Sequence, residues 1–331
     1  MASIMTNASA LTALQSLSAT QKNLDTTQAR ISTGYRVSQA SDNAAYWSIA
    51  TTMRSDNQAM STVSDALGLG ASKVDTAYTG MNSAIDTINQ IKTKLVASYG
   101  QTDADKAKTQ TEIAALQKQL KAYADGATFS GTNMLSVDSG TATAAADVKI
   151  VSAFNRDASG SSSISTIDVN VESTKLYEAG TTAGTAKGIL DADRLGSTGA
   201  ITTTTQAPTA GAASAAGDTY SVATLKVYDS TTGKGFSDTQ IADQMKVVDA
   251  ALKDMTNAAT TLGAAKSSID LQKTFTQSLM DSIDRGVGQL VDADMNKEST
   301  RLQALQVQQQ LGVQALSIAN GSSQSILSLF R

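Results

Sequence analysis

The scarcity of proline is the feature that most constrains the fold of this chain. Pro208 is the only proline among 331 residues. Because proline costs about 3 kcal/mol inside a helix, the long proline-free segments on both sides of it can form uninterrupted helices. Aromatic residues make up only 4% of the chain, which argues against a single compact globule with an aromatic-rich core. The sequence therefore predicts a mainly α protein.

Apolar residues recur every three or four positions along both arms of the chain. This spacing is typical of helices that pack as coiled coils. At 1.5 Å per residue, residues 60–96 would form a rod of about 55 Å. A shorter helix is predicted after Gly100, so three antiparallel helices can share one core. The predicted seams consist of Met60, Val63, Leu67, Ala71, Val74, Tyr78, Met81, Ile85, Ile88, Ile91 and Leu95, and of Ile241, Met245, Val248, Leu252, Met255, Ala259, Leu262, Ile269, Thr276, Ile283 and Val287.

Residues 136–239 differ in composition from the two arms. More than half of them are Ser, Thr, Ala or Gly, and they account for the net charge of -4. Within them, residues 165–171 and 220–227 alternate apolar and polar side chains, which is typical of half-buried strands. We expect a small β-rich, Ser/Thr/Gly/Ala-rich central outer domain between long antiparallel coiled-coil helices that come from both chain ends.

The composition excludes most enzyme classes. The chain has no His and no Cys, which removes histidine bases, thiol nucleophiles, disulfides and the common zinc sites. Asp191-Ala192-Asp193 and Asp292-Ala293-Asp294 lack the spacing of a calcium loop, and no glycine pair has the residues of a phosphate loop. We predict no catalytic, metal or cofactor site. The charge pattern predicts no nucleic-acid partner, and interrupted apolar stretches predict neither membrane insertion nor a Sec-type signal.

The two ends of the chain lack charged side chains, over residues 1–21 and 302–330. At the N-terminal end, leucines and an isoleucine repeat at three or seven positions, with Gln21 and Gln28 at the intervening seam positions. The C-terminal end carries one seam that includes Ala319 and a second that includes Val307. A helix that is apolar on more than one side needs more than one neighbour. The residues expected to form these contacts are Leu14, Leu17, Leu24, Ile31, Leu302, Leu305, Leu311, Leu316, Ile318 and Ile326.

Pairing the two ends with each other leaves one C-terminal seam uncovered. Ordering residues 302–330 costs more conformational entropy than burial in one hairpin returns. We therefore expect both ends to be disordered in the monomer and to fold only when other copies complete the burial.

The ends also carry recognisable motifs in a fixed order. Those at the N-terminus are Ile4–Asn7, Arg30–Val37, Ala40–Ala45 and Ile49–Arg54, and those at the C-terminus are Val291–Met295, Gln308–Gly312, Ala315–Asn320 and Ile326–Arg331. Together they resemble bacterial flagellins over about residues 1–135 and 240–331. The resemblance implies a structural subunit that self-assembles into the extracellular flagellar filament for swimming motility.

The resemblance also implies a division of the chain. Residues 1–43 would form an inner-tube helix and a spoke, 44–135 and 240–290 the outer-tube helices, 136–239 the variable surface domain and 291–331 the second inner-tube helix. In the spoke we single out Gly34, Arg36, Asp42 and Asn43. Of the possible caps for a helix beginning at Ala44, we predict Asp42.

The resemblance of the chain ends to flagellins implies further partners. The subunit would be exported unfolded through the flagellar secretion apparatus, with an export chaperone holding residues near 302–331. Filament cap and hook-associated proteins would contact the polymer.

Host recognition is predicted to be weak. In the stretch that vertebrate Toll-like receptors read, Gln90 and Lys94 stand where well-recognised flagellins carry Arg and Leu, beside Lys92, while Glu112 is retained. In the stretch read by plant receptors, Asn43 replaces an Asp and Tyr46 a Gly.

Two other functions remain open on the sequence. A hook-filament junction protein shares similar terminal helices, and an enzyme on a coiled-coil stalk is a distant alternative.

Overall fold

A computed structural model describes residues 7–139, 145–157, 159–180 and 187–329, with side chains described up to residue 321. These residues contain long helices at both ends and short strands between them, as the sequence predicts. The helices are α1 (Ala8–Thr33), α2 (Ala44–Ser98), α3 (Asp103–Gly126), α4 (Asp238–Val291) and α5 (Met295–Leu329).

The strands lie between α3 and α4. They are β1 (Thr128–Phe129), β2 (Thr132–Asn133), β3 (Ser136–Val137), β4 (Val148–Arg156), β5 (Ser162–Val169), β6 (Tyr177–Glu178), β7 (Arg194–Leu195), β8 (Thr219–Tyr220), β9 (Tyr228–Asp229) and β10 (Lys234–Gly235). β3 and β6 are parallel, whereas β1/β2, β4/β5, β7/β8 and β9/β10 are antiparallel pairs. β4 and β5 form the longest hairpin, with a bulge between Val151 and Ala153.

The chain divides into two compact units, and the second unit comprises Met60–Gln277. One buried cluster in this unit takes side chains from α2, α3, α4 and the strand region. Lys92 Nζ lies 2.6 Å from Asp249 Oδ1 and Lys266 pairs with Asp75, so these parts of α2 and α4 run antiparallel. The predicted seams are confirmed, since their residues are buried or half-buried along both helices.

The strand region packs closely on α2. A Cβ atom at Gly70 would overlap Ile150 of β4, and one at Gly80 would lie 2.9 Å from both Ala127 and Leu135. Glycine at these two positions therefore lets the strand region approach the helix backbone.

The prediction of one strand over residues 220–227 is wrong. β8 ends at Tyr220, a 3₁₀ turn covers Val222–Thr224, and β9 begins only at Tyr228. Glutamines of α3 take the place of a partner strand: Gln117 donates to the carbonyls of Val222 and Leu225 at 2.9 and 3.0 Å, and Gln110 accepts from the Val227 N–H at 2.7 Å. The predicted strand over residues 165–171 is found largely as β5.

The first unit comprises Met1–Ala59 and Ser278–Arg331. Its described part contains α1, the beginning of α2, the end of α4 and α5. Val37, Ala50, Val287 and Val291 form a small buried cluster beside the turn between α1 and α2. The predicted domain boundaries at residues 44 and 290 lie at the start of α2 and near the end of α4. The boundaries between the two compact units, at residues 59/60 and 277/278, lie inside these two helices.

Candidate assembly interface

The helices α1 and α5, which come from opposite ends of the chain, pack against each other as an antiparallel pair that we call the α1/α5 hairpin. In α1 the least exposed positions follow alternating steps of three and four residues, the spacing of a coiled-coil seam. Leu24 and Thr27 are buried, and Leu17 and Ile31 are half-buried. The full seam of α1 is Ala10, Ala13, Leu17, Thr20, Leu24, Thr27 and Ile31.

The seam of α1 corrects part of the sequence interpretation. Thr20 and Thr27 occupy the intervening positions, whereas Gln21 and Gln28 are exposed. Leu14 shares their seven-residue spacing and is also outside the seam, with 53% of its surface exposed. Leu17, Leu24 and Ile31 repeat every seven residues, and so do Leu14, Gln21 and Gln28. The repeat alone therefore does not show which of the two sets faces the partner helix.

The seam of α5 has the same spacing. Leu305 is buried and Leu302 and Leu316 are half-buried, as one of the two predicted C-terminal seams requires. A Cβ atom at Gly312 would lie 3.2 Å from Leu17 Cδ1, so glycine leaves space for this leucine. The described seam of α5 is Glu298, Leu302, Leu305, Gln309, Gly312, Leu316 and Ala319.

Polar contacts fix the register of this hairpin. Asn7 caps α1 by accepting from the Ala10 N–H, and its Nδ2 donates to the Ala319 carbonyl at 2.9 Å. Gln309 Nε2 donates to Gln21 Oε1 at 2.9 Å. These contacts align the start of α1 with the later turns of α5.

The ion pair between Arg30 and Glu298 is a site that the sequence interpretation missed. Arg30 Nη1 lies 3.3 Å from Glu298 Oε1, and the Glu298 side chain is only 11% exposed. Counted inward from the two chain ends, Arg30 and Glu298 are among the first charged residues after the uncharged stretches 1–21 and 302–330. That shared position was the available signal for their pairing.

The turn after α1 is held by the connection between α4 and α5. Gly34 adopts φ of 75°, a left-handed conformation that favours glycine. Arg36 donates from its backbone N–H to Val291 and from its guanidinium to the Leu290 carbonyl. Ala293 N–H donates in turn to the Gly34 carbonyl at 2.8 Å. Hydrogen bonds to residues 290–293 thus hold both predicted spoke residues, Gly34 and Arg36.

Asn43, and not Asp42, caps α2. Asn43 Oδ1 accepts from the Tyr46 N–H at 3.1 Å. The Asp42 carboxylate points back along the chain, where Oδ2 accepts from the N–H groups of Ser38 and Gln39 at 3.0 and 3.1 Å. These hydrogen bonds, that from Ser38 first, hold the pKa of Asp42 below its ordinary value. Asp42 therefore closes the loop that places Asn43 at the helix start.

A second apolar stripe on the hairpin remains exposed. Ile318 is 71% exposed and Leu311 is 58% exposed, although both belong to the second predicted seam of α5. Ile326 lies outside the residues whose side chains are described. Residues 7–21 and 302–321 contain no charged side chain. On α5 the large apolar residues of this stripe are Val307, Leu311 and Ile318; Leu11 and Leu14 of α1 and Val313 of α5 are exposed at other positions of the two helices.

The residues predicted to alter receptor recognition lie in the second unit. Lys94 Nζ is 2.6 Å from Glu112 Oε2, and Lys92 Nζ is equally close to Asp249 Oδ1. Gln90 is exposed on the same helix. Glu112, which the resemblance predicts to be retained, is thus paired with Lys94, which is predicted to stand in place of a leucine.

Neither a metal centre nor a membrane-spanning helix is found among the described residues. No group of three or more His, Cys, Asp or Glu side chains among them is arranged to hold a metal ion. In the same part of the chain, no helix combines the length and apolar character needed to span a membrane.

Comparison with known proteins identifies the same two ends. Residues 4–141 match the bacterial flagellin N-terminal helical region, and residues 245–330 match the bacterial flagellin C-terminal helical region. Flagellin C of Rhizobium meliloti strain 1021 is 49% identical over 335 residues, and a flagellin of Brucella melitensis biotype 1 is 47% identical over 332. Flagellin A of Rhizobium meliloti strain 1021 is 44% identical over 400 residues. In all three, the alignment covers 100% of both chains.

Long helices at both ends of the chain, with an exposed apolar stripe that carries no charge, are typical of a helical structural protein that associates with other chains. The two family matches and the full-length relatives then show that the chain belongs to the bacterial flagellin family. It is a structural, non-enzymatic subunit of the extracellular flagellar filament, and the comparisons do not favour the hook-filament junction protein.

Proposed function

We propose that the two stripes of the α1/α5 hairpin have separate roles in filament assembly. The seam through Leu24 and Leu305 holds α1 against α5 within one subunit. The second stripe, through Leu311 and Ile318, contacts neighbouring copies in the inner wall of the filament. The observation that carries this proposal is the exposure of that second stripe, because an apolar face left uncovered in one subunit indicates an interaction surface.

The polar residues of the hairpin support the same role. Glutamine is frequent along α5, at Gln303, Gln306, Gln308 and Gln310, and the described stripe carries no charge. A charge buried between subunits would need a partner or cost several kcal/mol, whereas an amide can pair with another amide, as Gln309 does with Gln21.

Polymerisation of a matched pair of variants tests this proposal. Ile318→Ser removes an exposed isoleucine from the second stripe, and the control Ile164→Ser removes one that is 65% exposed on β5. Loss of a buried isoleucine is worth about 1.5–3 kcal/mol, so Ile318→Ser should raise the critical concentration by about tenfold or more. The control should polymerise normally. Equal critical concentrations for the two variants would rule out the proposed contact.

We further propose that α1 and α5 fold fully only on polymerisation. Over the whole described hairpin, the buried side chains are those of Leu24, Thr27, Glu298 and Leu305. The burial of these four side chains offsets little of the conformational entropy that is lost when two helices become ordered. A chain that is unfolded at its ends also suits export through the secretion apparatus.

An export chaperone is proposed to bind the charge-poor C-terminal segment, residues 302–331. The apolar residues needed for assembly would be covered there before export. The full chain should then capture the chaperone, and a chain that ends at Arg301 should not. Equal capture by both chains would place the chaperone site elsewhere.

We also propose the spoke and the domain order that the flagellin resemblance implies. Residues 1–43 and 291–331 would form the inner tube with its spoke, residues 44–135 and 240–290 the outer tube, and residues 136–239 the surface domain. Filament cap and hook-associated proteins would meet the ends of this polymer.

Weak activation of host receptors is also proposed. The exposed ion pair between Lys94 and Glu112 engages the acidic group that the resemblance assigns to receptor binding, and Gln90 lacks the charge of an arginine. The double variant Gln90→Arg/Lys94→Leu should lower the concentration needed for half-maximal response in receptor reporter cells. The control Lys121→Leu removes an exposed lysine from another ion pair on α3. No difference between the double variant and the control would contradict this explanation.

Plant receptors read a different segment, where Asn43 and Tyr46 depart from strongly recognised flagellins. The oxidative burst of plant cells should therefore be weak. A full burst would contradict this part of the proposal.

A further inference from the structure

The dipeptide Asn320-Gly321 lies in the uncharged part of α5, and Asn320 is the only asparagine of the chain that glycine follows. Asparagine before glycine is prone to lose its side-chain amide, because glycine has no Cβ atom to hinder attack by its own backbone nitrogen. Asn320 is exposed. In the part of the chain that the structure describes, no residue forms a hydrogen bond with its side chain, whereas the side chains of Asn7 and Asn43 are held as helix caps.

This loss of the amide needs only water as a co-reactant. The Gly321 nitrogen attacks the side-chain carbonyl carbon of Asn320, a new C–N bond closes a succinimide ring, and ammonia leaves with the proton of the Gly321 N–H. Water then opens the ring at either carbonyl, which gives aspartate or isoaspartate. Both products carry an ionised carboxylate at neutral pH, and isoaspartate also routes the backbone through the side-chain methylene group.

Helical structure blocks this reaction at its first step. Inside an α-helix each backbone N–H donates to the carbonyl four residues earlier, and Asn320 and Gly321 both lie inside α5. The attacking nitrogen is therefore held by the helix, and α5 must open around residue 320 before the ring can close. The rate of modification thus follows the fraction of time for which this part of α5 is unfolded.

The sequence and the contacts of α5 make this part of the helix easy to open in a single subunit. Residues 320–323 are Asn-Gly-Ser-Ser, and all three residue types have low helix propensity. The neighbouring Ile318 is 71% exposed, so it adds little burial. Asn7, which precedes α1, donates to the Ala319 carbonyl, so residue 320 lies opposite the start of α1.

We propose that Asn320 is a site of spontaneous deamidation that distinguishes free subunits from assembled ones, an inference that rests on the proposed folding of α5 on polymerisation. A free subunit with α5 open is converted to the aspartate or isoaspartate form, whereas the filament holds α5 closed and preserves the amide. Residues 302–321 otherwise carry no charge, and a carboxylate buried there without a partner is unfavourable. Isoaspartate also interrupts the hydrogen bonds of α5, so modified subunits are excluded from filament growth.

Peptide mass spectrometry, combined with enzymatic methylation specific for isoaspartate, follows residue 320 in the soluble full-length chain and in filaments aged in the same mildly alkaline buffer. Asn82 is the internal control, because it is also exposed in a helix and precedes the small residue Ser83, but its neighbours in α2 belong to the main buried cluster. We expect conversion of Asn320 to be about tenfold or more faster in the monomer than in the filament. Asn82 should be preserved in both.

Seeded polymerisation of the aged monomer tests the consequence for assembly. The pelleted filaments should contain the unmodified chain, and the supernatant should be enriched in chains with aspartate or isoaspartate at position 320. Both fractions come from one sample, so differences in ageing conditions do not affect the comparison.

A matched pair of variants tests the role of the glycine. Apart from its own helix backbone and the adjacent residues, a Cβ atom at Gly321 or at Gly286 of α4 would meet no described atom within 4 Å, so alanine fits at both positions. Gly321→Ala hinders ring closure and favours the helix, and it should slow the conversion of Asn320 in the monomer several-fold. The control Gly286→Ala should leave the conversion unchanged.

Three results would overturn the proposal: an intact Asn320 amide in the aged monomer, equal conversion in monomer and filament, or equal shares of modified chain in pellet and supernatant. Amide exchange over residues 302–321 in the same samples separates this failure from that of the assembly proposal. Rapid exchange with an intact Asn320 would overturn the deamidation site alone. Slow exchange in the monomer would contradict folding on polymerisation, and with it this inference.

Discussion

Lys175 is fully buried in the strand region, where two glutamates and a serine surround its ammonium group. Lys175 Nζ lies 2.8 Å from Glu178 Oε2, 3.1 Å from Glu172 Oε2 and 3.2 Å from Ser139 Oγ. Burial alone would raise the pKa of Glu178, but the hydrogen bonds from Lys175 and from the Ser139 N–H and hydroxyl prevail and lower it to about 2.

Acid should therefore weaken the strand region through Glu178. A depressed pKa adds stability above the ordinary value of 4.5, and this stability is lost as the pH falls toward about 2. Glu178→Gln should lower the melting temperature at neutral pH and flatten its fall between about pH 5 and pH 2.5. The exposed-pair control Glu112→Gln should retain the pH dependence of the unaltered chain. Calorimetry that gives Glu178→Gln an equally steep fall would contradict this assignment.

The residue scale also shows where sequence reasoning stops. Asp42 and Asn43 are both good helix caps, and the sequence alone does not show the path of the preceding loop. Hydrogen bonds from Ser38 and Gln39 engage Asp42 and leave Asn43 at the start of α2. The choice between two adjacent capping residues thus depends on backbone geometry formed several residues away.

At the scale of elements, long periodic helices were predictable and short irregular segments were not. The seams of α2 and α4 repeat over many turns, so a single misplaced residue does not alter the pattern. Residues 220–227 alternate like a strand, but Gln110 and Gln117 of α3 satisfy their backbone instead. The burial of the Tyr220 hydroxyl and of the Gln244 amide oxygen without a hydrogen-bond partner among the described residues was equally unpredictable, because only the tertiary fold buries these atoms.

The stability of the α1/α5 hairpin should depend on the ion pair between Arg30, near the end of α1, and Glu298, near the start of α5. Glu298→Gln removes the charge that pairs with the half-buried Arg30, which we expect to cost about 1–3 kcal/mol. The thermal depolymerisation midpoint of filaments should fall. Lys297→Gln changes the neighbouring residue, an 85% exposed lysine paired with Asp294, and should leave the midpoint nearly unchanged. Equal shifts in the two variants would show that the pair has no special role.

At the scale of the whole molecule, the flagellin chain combines a well-packed unit with ends that bury little. The core shared by α2, α3 and α4 lies within Met60–Gln277 and does not depend on α5. Deletion of residues 302–331 should therefore leave a soluble, partly helical fragment that cannot polymerise. Circular dichroism and sedimentation check the two halves of this prediction, and sedimentable filaments of the fragment would contradict it.

Amide hydrogen exchange over residues 302–321, compared between the monomeric subunit and the assembled filament, tests most directly whether neighbouring copies complete the fold of the ends. The account predicts rapid exchange in the monomer and strong protection in the filament, with little change across the seam of α2 from Met60 to Leu95. Equally slow exchange of residues 302–321 in both states would contradict it, because the hairpin would then be stable without its neighbours.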